Sequence, residues 1–446
     1  MTHSLPSPSV APPCQAYRAS ILHFTADPAF DEHAYAWHED GLLIVENGHV
    51  LAAGDFAQLR NRLPPDAQVH DYRGKLIVPG FIDTHIHYPQ TDMIASPAPG
   101  LLPWLENYTF PNERSFSDPV HAQEVASFFL DELARCGTTT AMVYCTVHPA
   151  SVEAFFAESE KRDLRMVAGK VLMDRHCPDF LCDSAEGGVR DSEALIKKWH
   201  KRGRQLYAIT PRFAPTSSEA QLQLAGELAS AYPDTFLQTH VAENTEEVAW
   251  VKSLFPNARS YLDVYDQYGM LRPRAMFGHC IWLDDHDRAR MHATQSAASL
   301  CPTSNLFLGS GLFDFAKADA AQMKLSLGTD VGGGTSFSML RTMHALYKVA
   351  RMGGSYLSAL RMFYLATLGG ARSMQLEGTL GNFASDTEAD FIVLDPEATP
   401  LLARRTTRTE SLEELLFAFA LLGDDRAVQA TYSGGRCIHS RAASLI

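Results

Sequence analysis

Apolar, β-branched runs recur along the chain and alternate with stretches of helical spacing. The runs are "LIVPGFIDTH" (76–85), "TTTAMVYCT" (138–146), "RMVAGKVLM" (165–173), "LYAITPRF" (206–213), "FLQTHVAEN" (236–244), "AMFGHCIWL" (275–283), "SAASLCPTSN" (296–305) and "LSLGTDVGG" (325–333). Their length and their Val, Ile, Thr and aromatic content predict buried strands. Segments such as "HAQEVASFFLDELARCG" and "SSEAQLQLAGELASAY" place apolar residues at helical spacing between them. Eight strands with intervening helices predict an α/β fold. Eight is the count that closes a (β/α)8 TIM-type barrel, and an open doubly wound sheet is the competing layout.

The two ends read differently. "GLLIVENGHVLAAGD" (41–55) is two short strands about an Asn47-Gly48 turn, and "ADFIVLD" (389–395) and "VQATYSGGRCI" (428–438) are further strands with a glycine turn. Neither end makes a core alone. Together they predict a small β-sandwich domain from both termini, residues 1–77 and 376–446, beside a barrel domain of residues 78–375.

Composition narrows the class. The chain has 446 residues, 46% hydrophobic and 20% charged, so an ordinary globular core is available. A net charge of −14 gives no basic face for nucleic acid or an acidic membrane. The apolar run "LLFAFALL" (415–422) is too short to span a bilayer. The Pro- and Ser-rich first dozen residues have no signal-peptide pattern, and the eight cysteines are scattered without a C-x-x-C pair. These features predict a cytoplasmic protein with reduced thiols and a small-molecule substrate.

Barrel enzymes carry their chemistry at the C-terminal ends of the strands. There the first strand offers His85 and His87, the fifth His240 and Glu243, the sixth His279 and the eighth Asp330. His85 and His87 stand one residue apart, so on a strand they share a face. Imidazole and carboxylate together suit a borderline divalent cation such as Zn²⁺. A single strand histidine is an ordinary core residue; four matches on the right strands in order are not.

The order His-x-His, His, His, Asp over strands 1, 5, 6 and 8 resembles the amidohydrolase superfamily. "PGFIDTHIHYPQ", "LLPWLENYTFPNE" (101–113), "TPRFAPT" (210–216), "THVAEN" and "CPTSNLFLGSGLF" (301–313) resemble its mononuclear metal-dependent deaminases, and among them those acting on guanine. Dinuclear members carry a bridging lysine at the end of strand 4, where this chain reads "ITPRFAPT" with Arg212. The resemblance therefore implies one ion per chain, Zn²⁺ or Fe²⁺, held by His85, His87, His240 and Asp330. It implies that His279 holds the metal-bound water or the substrate and that Glu243 shuttles protons to the ring and the leaving amine; Asp330 and His279 are placed to accept or orient that water's proton. It also implies a homodimer.

For the substrate, Arg212 is a fixed, always-charged donor fork that by resemblance reads the purine O6, and Gln90 offers both donor and acceptor to the lactam. Phe213 is placed over a ring face, Leu101 and Trp104 in the pocket wall, and His240 beside the substrate. Arg212 as a structural ion-pair partner and Trp104 as plain core are the competing readings. "VGGGTS" (331–336) lacks a phosphate-loop lysine and reads as a flexible loop. A pterin, oxidised-purine, cytosine or triazine deaminase uses the same metal set, and a non-catalytic scaffold is the remaining alternative.

Overall fold

The computed structural model describes residues 14–65, 67–97 and 99–441; the Pro- and Ser-rich leading dozen lies outside them. Eight parallel strands pair in chain order: Phe81–His87, Thr138–Tyr144, Arg165–Gly169, Leu206–Pro211, Phe236–Val241, Ala275–His279, Ala297–Leu300 and Lys324–Leu327. The sheet curls until its edges meet. Asp330 N donates to His85 O (2.8 Å), His87 N to Val331 O (2.9 Å) and Thr84 Oγ1 to Leu327 O (2.9 Å) across the seam. The ring is therefore stitched at the residues expected to carry the chemistry.

Helices cover the outside. Pro119–Arg135 starts with Pro at its first position, where no backbone N–H is needed, and Asp118 caps it by accepting from Val120 N (2.9 Å). Its Val125, Phe129 and Leu133 are buried at helical spacing. Glu219–Ala231 is capped by Ser218. Both lie where the apolar periodicity predicts them.

The termini build one mixed sheet of seven strands. Its order is Arg436–Ser440, Val428–Ser433, Phe391–Leu394, Gln68–Pro79, Cys14–Phe24, Tyr35–Glu46 and His49–Asp55. Asn47 (φ 52°) and Gly48 (φ 82°) are both left-handed, the geometry of a tight hairpin between the last two strands. One face closes over Tyr17, Ile21 and a stacked Phe391–Tyr432 pair with ring centroids 4.4 Å apart.

The run "LIVPGFIDTH" is two strands. Leu76–Pro79 completes a strand of the terminal sheet, and the barrel begins at Phe81. Gly80 is the crossing point. A Cβ there would sit 2.1 Å from Thr139 Oγ1, and its N–H bonds Asp390 O of the terminal layer (3.0 Å). Burial is continuous through the switch, so hydrophobicity carries no mark of it.

Arg165 and Arg204, at the base of the third and fourth barrel strands, bind Glu388 and Asp390 of the terminal layer. Arg204 lies 2.6 Å from each acid and Arg165 forks onto Glu388. Burial alone raises the Glu388 pKa, but the two guanidinium groups outweigh it and hold it below the usual range. A depressed folded pKa contributes stability that is present above the unfolded value of about 4.3 and is lost as pH falls through the folded one. Glu388→Gln should therefore cost about 3 kcal/mol at pH 7, the lower end for breaking a buried pair, since Arg204 keeps Asp390 as a partner. Melting curves of the two proteins should converge as pH drops below about 4.

Candidate metal centre and substrate cavity

His279, Asp330 and the Ala242 turn that precedes Glu243 lie where their strands break, whereas His85, His87 and His240 are still on theirs. Ala242 (φ 50°), His279 (φ 68°), Cys280 (φ 54°) and Asp330 (φ 52°) are all left-handed, a costly conformation for residues with a Cβ. The Ala242 turn matters most. His240 and Glu243 would face opposite sides of a continuing strand, and the turn brings both into one cavity.

Glycines make room beside them. A Cβ on Gly278 would lie 2.5 Å from the His85 ring, and one on Gly328 would lie 2.7 Å from His85 Cβ. Gly278→Ala should therefore push the imidazole off its position while the barrel still folds. Metal affinity should fall about 10- to 100-fold, as for loss of a group that orients a ligand, with metal-binding titration of the purified variant as the check.

The nitrogens converge. His85 Nε2 and His87 Nε2 each lie 3.3 Å from Asp330 Oδ1, and His240 Nε2 lies 3.2 Å from His87 Nε2. Zinc–nitrogen bonds of about 2.0–2.1 Å in a tetrahedron separate neighbouring ligand atoms by about 3.4 Å, so one ion fits among these four groups. His279 Nε2 stands further out, 3.9 Å from Asp330 Oδ2 and 3.4 Å from Glu243 Oε2. His85 Nε2 and His279 Nε2 are buried without a hydrogen-bond partner, a cost that a bound cation and its water would remove.

Outer contacts fix the tautomers. His240 Nδ1 donates to Arg212 O (2.6 Å) and His279 Nδ1 to Asn305 Oδ1 (2.8 Å), so both Nε2 lone pairs face the centre. Burial brings the His87 pKa down to about 4, and burial with three neighbouring imidazoles holds His240 well below its usual value. Burial pushes Asp330 the other way, but His85 and its neighbours outweigh it and hold the carboxyl well below the normal range. Neutral imidazoles beside an ionised carboxylate are the state that a metal needs.

Glu243 behaves oppositely. Burial pushes its pKa up to about 8, with the Asp330 charge adding and the Ser310 hydroxyl bond (3.0 Å) opposing. Its backbone is gripped by Glu247, whose Oε2 accepts from Glu243 N (3.0 Å) and Asn244 N (3.2 Å) in a capping box.

Gln90, Leu101, Trp104, Arg212 and Phe213 line one cavity together with His87, His240, Glu243, His279 and Asp330. His85, outside that lining, groups with His87 and His240 in an arrangement that could hold a metal ion. Arg212 combines two readings: it borders the cavity and also binds Glu113 through Nη1 (2.8 and 3.0 Å).

Other residues escaped the sequence reading. Leu105, Glu247, Ser304, Leu308 and Gly333 also line the cavity, and Glu113, Ser310 and Asn305 support it from behind. All but Glu247 stand within segments quoted above for the resemblance or the glycine run, but nothing in their own type or spacing marked them individually. Cys301 offers its Sγ to the group of His85, His279 and Asp330, within 4.8 Å of their ligand atoms.

The glycines of "VGGGTS" are not a flexible loop. Val331 to Gly334 are buried, and Cβ atoms at Gly332, Gly333 and Gly334 would meet Gln90 O at 2.8 Å, Ser304 Oγ at 2.7 Å and Thr329 O at 1.7 Å. The missing side chains permit close packing. Gly332 N uses that proximity to bind Gln90 Oε1 (3.0 Å).

Residues 76–438 match the Amidohydrolase family. Guanine deaminase of Escherichia coli (strain K12) is 48% identical over 430 residues, covering 96% of this chain and 98% of that protein. A solved structure of the E. coli guanine deaminase superposes with a TM-score of 0.94, covering 96% of this chain and 100% of that one. The crystal structure of guanine deaminase from C. acetobutylicum, with guanine bound in its active site, is 27% identical with a TM-score of 0.85, covering 96% and 100%.

Proposed function

The chain belongs to the amidohydrolase family, and we propose that it is a hydrolytic deaminase of guanine, converting guanine and water to xanthine and ammonia. The observation that carries this reading is the shared cavity. A metal-ready His/Asp set and a glutamic acid whose pKa burial raises to about 8 line it together with a guanidinium and a carboxamide. The 48% identity to the E. coli enzyme over 96% of the chain supports the same substrate.

One zinc ion, held by His85, His87, His240 and Asp330, would supply water activation, lowering the pKa of a bound water to about 7. Asp330, ionised, takes one proton of the attacking water and His279 holds the water in line. Glu243, protonated, delivers its proton to ring N3 as the C2–O bond forms, so negative charge does not build on the ring. Asp330 then gives its proton to the exocyclic amine, the C2–N bond breaks and ammonia leaves. Glu243 regains a proton from the C2 hydroxyl as the carbonyl of xanthine forms. Arg212 and Gln90 donate toward O6 and the lactam edge, Phe213 covers one ring face, and Leu101 and Trp104 exclude water.

The reading extends to a homodimer in the cytoplasm. The free thiols of the seven cysteines from Cys136 to Cys437 accord with a reducing compartment, and no helix among the described residues is long and apolar enough to cross a membrane.

The test is ammonia release from guanine beside adenine, cytosine and a 2-aminopterin, with protein of measured metal content. Guanine should be preferred by at least about 100-fold. A stronger preference for another ring would move the substrate assignment and leave the metal set standing.

A further inference from the structure

Glu113 is a carboxylate with 1% exposure, in a short helix (Phe110–Glu113) behind the substrate wall and outside the cavity lining. It accepts from Arg212 Nη1 on both oxygens and from Gln90 Nε2 on Oε1 (3.3 Å). Both wall residues suited to recognising a ring edge therefore hang on one acid. We propose that Glu113 is a specificity-determining positioning residue that sets the hydrogen-bond polarity of the cavity and so selects a 6-oxo over a 6-amino purine. This rests on the guanine reading above.

Donors and acceptors in the wall fix one another's direction. Gln90 Oε1 takes the Gly332 N–H and Gln90 Nε2 faces Glu113. Reversing that amide would set its oxygen against a carboxylate and its N–H groups against Gly332 N–H, two repulsive contacts at once. The amide is therefore locked with its second N–H as its free donor. Arg212 commits Nη1 to Glu113, and among the described residues Nη2 and Nε donate to no protein acceptor. Glu113 thus leaves the wall with spare donors from both residues. A ring carbonyl satisfies such a wall. An exocyclic amine presents donor to donor and leaves buried polar groups unpaired, the situation in which discrimination is large.

The test compares guanine with 2,6-diaminopurine, which keeps the reacting 2-amino group and replaces O6 by an amine. Ammonia release is measured with wild type, Glu113→Gln and Glu113→Asp. Glutamine can turn either way and frees the Gln90 amide to do so. Aspartate keeps the charge but is too short to hold both partners. In both variants the guanine-to-diaminopurine ratio of kcat/KM should fall by at least about 10-fold. The fall should come mainly through a higher KM for guanine, with kcat within a few-fold and metal content unchanged. If both substrates lose activity in step and the ratio holds, Glu113 is merely structural and the proposal is overturned. An unchanged ratio with unchanged KM overturns it as well. A wild-type chain inert toward guanine overturns the functional reading itself, whereas an active wild type with an unchanged ratio in the variants overturns only the Glu113 assignment.

Discussion

Asp330→Ala should leave less than about one part in 10⁴ of wild-type turnover and protein that binds no stoichiometric metal, since general acid–base work alone accounts for about 10²–10⁴. Three relationships make this the largest expected effect. Its Oδ1 sits 3.3 Å from both His85 Nε2 and His87 Nε2, where it would complete the proposed ligand set. It is the acid held ionised by those imidazoles against its own burial. Its backbone N–H bonds His85 O, so it also fixes the strand that carries the first two histidines. The backbone bond survives in the variant, which separates chemistry from folding. The imidazoles outweigh the burial of Asp330 and depress its pKa. By the sign that holds for Glu388 its removal loses stability, so metal-free Asp330→Ala should melt below metal-free wild type while still folding cooperatively. Elemental analysis and calorimetry on the same samples check both statements. Full metal content with near-normal turnover would remove Asp330 from the centre.

Glu243→Gln should lower kcat by about 10²–10⁴ and leave metal content intact. Glutamine keeps the volume and can still accept from Ser310, but it has no proton to give to a ring nitrogen. Its Nε2 cannot substitute, because an amide does not protonate in this range. KM should change by only a few-fold, since the binding wall of Arg212 and Gln90 is untouched. Single-turnover kinetics that separate binding from chemistry test this directly. A variant that lost metal as well would show that Glu243 is needed to hold the centre.

The barrel and its chemical rim were legible in the chain because both rest on local pattern. Apolar strands at regular intervals fix the eightfold count, and His85, His87, His240, His279 and Asp330 stand at their ends. What was not legible depends on contacts distant in sequence. Glu113 is one of 52 acidic residues, and only the fold brings it to Arg212, 99 positions away. Ser310 and Asn305 are ordinary polar residues until Glu243 and His279 arrive beside them. The glycines after Asp330 read as flexible because composition does not distinguish freedom from crowding; the Cβ clashes show crowding. The first strand, Cys14–Phe24, mixes polar residues into its buried face, among them Gln15, which hydrogen-bonds within the terminal sheet, so a purely apolar pattern missed it.

The most direct measurement is a metal titration followed by turnover. Chelator-stripped protein receives Zn²⁺ in fractional equivalents, and xanthine formation from guanine is recorded at each. The rate should be negligible without metal, rise linearly and break at one equivalent per chain. Turnover in the stripped protein, a break at two equivalents, or full loading without turnover would contradict a single-ion centre built on His85, His87, His240 and Asp330.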